Sequence, residues 1–201
     1  IGAVTATGAE VTEAGSLYAD TNDVKWTYEV ADAEDLSSLT MQQALEVDGS
    51  ENKSLTDIDI VDDATAVLDN TQALNLTGAN TVTANDATPA EAVSLTGMGD
   101  AVDAFTMDSA SYTGLTVAQV NAVEDAKNET PVSYTVLDAA GTIESNISAI
   151  DDATAVAATD GDSDGFADLL TLTVAEHDSL DDTDTSLNTG HVIVDTPAAI
   201  A

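Results

Sequence analysis

The clearest chemistry in the sequence sits in nine residues, Asp160-Gly161-Asp162-Ser163-Asp164-Gly165-Phe166-Ala167-Asp168. Carboxylates at the first, third, fifth and ninth positions converge on one point when the chain curls around it. Gly165, sixth in the run, permits the sharp turn. The backbone carbonyl of Phe166, seventh, supplies one more oxygen. An all-oxygen donor set of this kind suits a hard cation, and Ca²⁺ above all. An aliphatic stretch, Leu169-Leu170-Thr171-Leu172-Thr173-Val174, follows at once. It reads as a strand that would hold one end of the loop.

The ligand logic is that of the EF-hand loop, with Thr171 at the twelfth position where that loop carries a glutamate. The run also resembles the Asp-x-Asp-x-Asp-Gly-x-x-Asp calcium loops in the blades of integrin-type propellers and in other extracellular repeats. The resemblance is confined to the loop. It implies that Asp160, Asp162, Asp164 and Asp168 are side-chain ligands of Ca²⁺ and that Phe166 is a carbonyl ligand.

The elements that would position this loop are repeats. A Leu-Thr-apolar step occurs at Leu39-Thr40-Met41, Leu115-Thr116-Val117 and Leu172-Thr173-Val174. An apolar run ending in aspartate follows each: Ile58-Asp59-Ile60-Val61-Asp62, Tyr134-Thr135-Val136-Leu137-Asp138 and His191-Val192-Ile193-Val194-Asp195. From the leucine to the terminal aspartate the spacing is 23 positions in all three copies. Tyr28-Glu29-Val30-Ala31-Asp32 is a degenerate fourth copy of the second part. Each run reads as a strand, its aspartate as the N-cap of a short helix that follows, and the Leu-Thr step as another helix start. A shorter echo links Ala73-Leu74-Asn75-Leu76-Thr77-Gly78 to Ala92-Val93-Ser94-Leu95-Thr96-Gly97, 19 residues on.

Coils of about 20 residues with one short strand each have the period of a solenoid. The fold expected is therefore mainly β with short helices, a parallel solenoid-like stack of strand–helix coils. Runs such as Val192-Ile193-Val194, apolar on both faces, fit strands covered on both sides. Tandem β-sandwich modules are the alternative architecture. Residues 1–24 read as an N-terminal extension or incomplete repeat, and 25–201 as a diverged repeat array carrying the loop at 160–168. The chain opens on Ile1 and closes on Ile200-Ala201 in mid-unit, so it reads as a processed product or an excerpt of a longer repeat chain.

Composition narrows the partners. The 201 residues include 38 acids, 27 of them aspartate, against 3 bases, for a net charge of −35. Such a surface repels nucleic-acid phosphates and anionic membranes, and it draws cations. No apolar stretch approaches the roughly 20 residues of a membrane span, so no membrane insertion is expected. Hydrophobic residues make up 43% of the chain, which argues for a folded core, although much of it is Ala and Val. There is no cysteine, hence no disulfide and no thiolate chemistry.

The Leu-Thr-Val-Ala-Gln and Tyr-Thr-Val-x-Asp units resemble the acidic repeat regions of large calcium-associated cell-surface proteins of bacteria and archaea, of the RTX-type adhesin or S-layer-like kind. That resemblance implies an extracellular, cell-surface, non-enzymatic role. The chain would be a structural or adhesive repeat protein, stiffened by calcium and self-associating into a lattice or filament. The alternative is a carbohydrate- or receptor-binding surface module.

Other residue types carry less. His177 and His191 have no nucleophile motif nearby and read as surface or strand-edge residues. Paired acids at Asp62-Asp63, Asp151-Asp152 and Asp181-Asp182 point to opposite sides of the backbone, unlike glycosidase carboxylates. Asp181, Asp182 and Asp184 could form a weaker cation site. Trp26, Tyr28, Tyr112 and Tyr134 lie inside strand-like runs and read as core.

Overall fold

The computed structural model describes residues 4–9, 26–30, 35–48, 56, 58–71, 76–126, 133–159, 169–181, 186–187 and 190–196. The chain divides into two compact units, Ile1–Thr106 and Met107–Ala201.

In the first unit, β1 (Val4–Ala9) pairs in parallel with β2 (Trp26–Val30). The first strand thus falls within the span read as an extension. Helix α1 (Met41–Asp48) follows a single bridge between Leu39 and Ile60. Next come β3 (Asp59–Asp63), α2 (Ala64–Asp69), β4 (Thr81–Ala87), α3 (Pro89–Thr96) and β5 (Ala104–Met107), with sheet order β3-β4-β5.

The second unit runs β6 (Ser111–Leu115), α4 (Val117–Glu124), β7 (Ser133–Asp138), α5 (Ala140–Glu144) and β8 (Ala155–Ala158). It continues with β9 (Leu170–Leu172), α6 (Val174–Asp181), β10 (Ser186–Leu187) and β11 (His191–Ile193). Its sheets have the orders β10-β8-β7-β6 and β11-β9. The architecture is mixed, with helices and strands holding comparable shares, rather than mainly β.

The pairs β1–β2, β3–β4, β6–β7, β7–β8, β8–β10 and β9–β11 are all parallel. A parallel pair cannot be closed by a tight hairpin; it needs a crossover, which between β3 and β4, β6 and β7, and β7 and β8 includes a short helix. The residue offset is 31 for Ala155↔Ser186, where β9 intervenes, and close to 21 in four other pairings. It is 22 for Asp59↔Thr81, 21 for Leu39↔Ile60, 20 for Thr135↔Ala155 and 21 for Leu172↔Ile193. Antiparallel sandwich modules would show none of these offsets.

Four helices begin with the same local chemistry. Thr40, Thr88, Thr116 and Thr173 each accept a bond at Oγ1 from the backbone N–H three residues on. The side chains of Gln43, Glu91, Gln119 and Glu176 accept from the threonine N–H in return. Each such capping box satisfies two amides that the helix itself cannot. Apolar spacing then turns one helix face inward, as with Met41, Ala44 and Val47 in α1.

Strand alternation supplies the other half of the core. Val82 and Ala84 of β4 and Tyr134 and Val136 of β7 are buried, while their neighbours are more exposed; in β4 the period breaks at Asp86, whose φ is +56°, so Ala87 is buried three residues after Ala84. The core is rich in alanine, but fully buried Ile58, Ile60, Leu95, Ile143, Ile150, Leu170, Leu172 and Leu180 give it bulk. Each such side chain is worth about 1.5–3 kcal/mol. The expected cover on both faces is not found at β11. Val192 and Val194 are 45% and 56% exposed, because only one face of this two-stranded sheet meets the core.

Candidate functional site

The nine-residue loop 160–168, with the expected ligands Asp160, Asp162, Asp164, Phe166 and Asp168, lies outside the described residues, as do Asp182 and Asp184. Its flanks are described. The loop leaves β8 through Thr159, whose N–H donates to the Asp138 carbonyl at 2.8 Å, and it enters β9, where Leu170 and Leu172 are buried. The aliphatic strand expected after the loop is present at Leu170–Leu172 and gives way to helix at Val174. Among the described residues no group of three or more His, Cys, Asp or Glu side chains could hold a metal.

The repeated aspartates acquire a different role from the one expected of them. The helices after Asp62 and Asp138 begin at Ala64 and Ala140. Their N-cap residues, Asp63 and Ala139, make no side-chain capping bond. Asp62 and Asp138 instead reach across to the starts of the earlier helices α1 and α4. Asp62 Oδ2 accepts from Met41 N–H at 2.9 Å, and Asp138 Oδ2 accepts from Val117 N–H at 3.0 Å. Asp195 Oδ2 accepts from Val174 N–H at 3.2 Å. Each donor is the first helical residue after a Leu-Thr step, and each donor–acceptor separation is 21 positions. The other oxygen of each carboxylate accepts the next backbone N–H in its own chain, at 2.9, 2.7 and 2.6 Å.

The carboxylate thus clasps a helix N-terminus that the capping box alone leaves two amides short, and it takes the first of them. It also places a negative charge where the helix dipole favours one. Strand parity puts it there. Asp62 follows Ile60 by two, Asp138 follows Val136 by two, and Asp195 follows Ile193 by two, all on the inward-facing phase. Helix α3 has proline at its first position, which has no N–H to donate, and Ala110 rather than an acid stands 21 residues beyond it. In the degenerate fourth copy Asp32 follows Val30, the partner of Ala9, by two; it lies outside the described residues.

One further device sets the register. Between β6 and β7 the offset is 22 at Ser111↔Ser133 but 21 at Leu115↔Val136. The extra residue is absorbed at Gly114, whose φ is +68° and whose N–H donates to Thr135 Oγ1 at 2.8 Å. A positive φ is open to glycine at little cost. The slip brings Val117 opposite Asp138.

Other polar groups are tied into the frame. Thr65 Oγ1 donates to Glu91 at 2.6 Å, and this bond with those from Thr88 holds the Glu91 carboxyl below its usual range. The Thr173 N–H and hydroxyl do the same for Glu176. Tyr134 is buried and donates to Glu124 at 3.1 Å. Burial chiefly pushes the Tyr134 hydroxyl up, and burial likewise raises Glu124 against the pull of that bond. Tyr112 is half-buried, its hydroxyl pushed up to about 12 by burial and by its bond to Asp108. Tyr134 lies in the core, as expected, whereas Tyr112 is only half-buried, with its hydroxyl bonded to Asp108 and Ser109 at the surface; the side chains of Trp26 and Tyr28 lie outside the described ones. No family model, no curated protein and no solved structure matches the chain.

Proposed function

We propose that this chain is part of an extracellular, non-enzymatic structural or adhesive repeat protein of a cell surface, built as a parallel solenoid-like stack of roughly 20-residue coils. The observation that carries the reading is the aspartate clasp, made three times at the same 21-residue separation. A device that ties one coil to the coil before it, made again at the same separation, belongs to an array. Enzymes and receptors localise their special residues; here the special residue is the one that recurs.

Calcium supplies the stiffening in this reading. A net charge of −35 opposes compaction, and divalent cations relieve it. Ca²⁺ held by Asp160, Asp162, Asp164, Asp168 and the Phe166 carbonyl would order the segment joining β8 to β9. Binding to the folded state alone adds stability as the logarithm of concentration over Kd. Further copies of the repeat, in the same chain or in another, would continue the parallel edges into a filament or lattice.

The test is thermal unfolding in chelator and in roughly 5 mM Ca²⁺, above the 10⁻⁴–10⁻³ M range of extracellular modules. It is run on the natural chain and on Asp162→Ala/Asp164→Ala. A midpoint that rises with Ca²⁺ in the natural chain only supports the reading. An equal rise with Mg²⁺ or NaCl refutes the calcium site, and a compact small-angle scattering profile refutes the stacked array.

A further inference from the structure

The chain has two histidines in 201 residues, and the fold brings them together. His177 lies in the first turn and a half of α6, its N–H donating to the Thr173 carbonyl at 3.0 Å. His191 opens β11 and pairs with Leu170 of β9. Because α6 follows β9 directly, the β9–β11 pairing sets the two rings side by side. Their centroids are 5.1 Å apart and their planes are inclined by 42°.

We propose that His177 and His191 form a two-imidazole site for a divalent transition cation of the zinc, nickel and copper class. Zinc binds imidazole nitrogen at about 2.0–2.1 Å in tetrahedral geometry, which places the centroids of two ligating rings about 5 Å apart. The observed 5.1 Å separation matches that spacing. Both rings are open to solvent, His177 at 29% and His191 on an exposed strand start, so a metal can enter and keep waters in its other positions. Asp178 Oδ1 stands 3.6 Å from His177 Nδ1, so a negative charge lies beside the pair.

Charge and donor type complete the argument. The −35 field concentrates divalent cations at the surface. Carboxylates sort for calcium and magnesium, whereas imidazole sorts for zinc, nickel and copper. With no cysteine present, these two rings are the chain's whole supply of such donors. The site therefore differs in chemical class from the 160–168 loop. It would tie α6 to β11 in the circuit whose aspartate clasp, at 3.2 Å, is the longest of the three.

The probe is Zn²⁺, titrated into the full chain in roughly 5 mM Ca²⁺ so that oxygen sites are already occupied. The readout is ring NMR, where two histidines give two sets of signals. Both sets are expected to move together and saturate at one Zn²⁺ per chain, while Ca²⁺ alone moves neither. His177→Gln or His191→Gln should each weaken binding by more than about tenfold, a loss that removal of even an outer partner can produce. The unfolding midpoint should rise with Zn²⁺ in the natural chain and not in the variants. Rings that titrate independently or do not respond overturn the proposal. So does a His177→Gln/His191→Gln chain that binds Zn²⁺ as tightly as the natural one. The wild-type titration decides the matter even if a variant fails to fold.

Discussion

Replacing Asp62 by asparagine sets two physical effects against each other. In a chain of net charge −35, neutralising an acid relieves repulsion and should stabilise. The clasp argument gives the opposite sign. Both Asp62 oxygens are acceptors, one for Met41 N–H at 2.9 Å and one for Asp63 N–H at 2.9 Å. Asparagine keeps one oxygen and turns the other position into a donor facing a donor. The lost charge-assisted bond costs about 1.5–3 kcal/mol. Met41 is 1% exposed, so water has little access to replace it. The repulsion relieved is smaller: a like charge 10 Å away contributes about 0.4 kcal/mol in water, and salt reduces that further. The net expectation is a loss of about 1–2 kcal/mol, or roughly 5–10 °C in the midpoint of the unit containing residue 62.

Urea unfolding at equilibrium measures it, with the exposed Asp100→Asn as control, expected neutral or slightly stabilising. At 1 M NaCl, where screening acts within about 3 Å, the loss should persist because the bond is direct. An Asp62→Asn chain as stable as the natural one, or more so, would refute the clasp as a stabilising device.

Two further outcomes follow from the same frame. Gly114→Ala should cost about 1–2 kcal/mol from the positive φ alone, since the added Cβ would meet Leu137 Cβ at an ordinary 3.8 Å; urea midpoints check it. Glu91 and Glu176 are held below their usual range, so their bonds stabilise above the unfolded carboxyl pKa, near 4.5, and that contribution fades as pH falls through the lowered value. Glu91→Gln/Glu176→Gln should keep the boxes, as Gln43 and Gln119 do, yet be less stable at pH 7 and no less stable at pH 2. Circular dichroism during acid titration would show the two curves converging.

How legible was this in the sequence? The 23-residue step from Leu39 to Asp62 was readable and is real in the fold: two residues to the first helical amide, then 21 to its acceptor. The partner was misread. An aspartate beside a helix start looks like its N-cap, and only strand register reveals that it serves the helix that starts 21 residues earlier. The capping boxes were open to reading, since Thr-x-x-Gln/Glu stands at 40, 88, 116 and 173. The slip at Gly114 was not, because a glycine in a strand run does not say whether it adds a residue to the register. Nor was the meeting of His177 and His191, 14 positions apart, which depends on β11 pairing with β9 rather than with β10. The division at Thr106 has no proline- or glycine-rich linker to mark it.

The clasp also gives the chain a direction in time. The first amides of α1, α4 and α6 each emerge from the ribosome 21 residues before the carboxylate that accepts from them. While the chain is being made, each of these three helices waits unfinished until its aspartate follows. Cutting the chain between donor and acceptor has unequal consequences on its two sides. Removal of the later part strands an amide that has lost its acceptor. Removal of the earlier part leaves only a carboxylate, which water solvates readily.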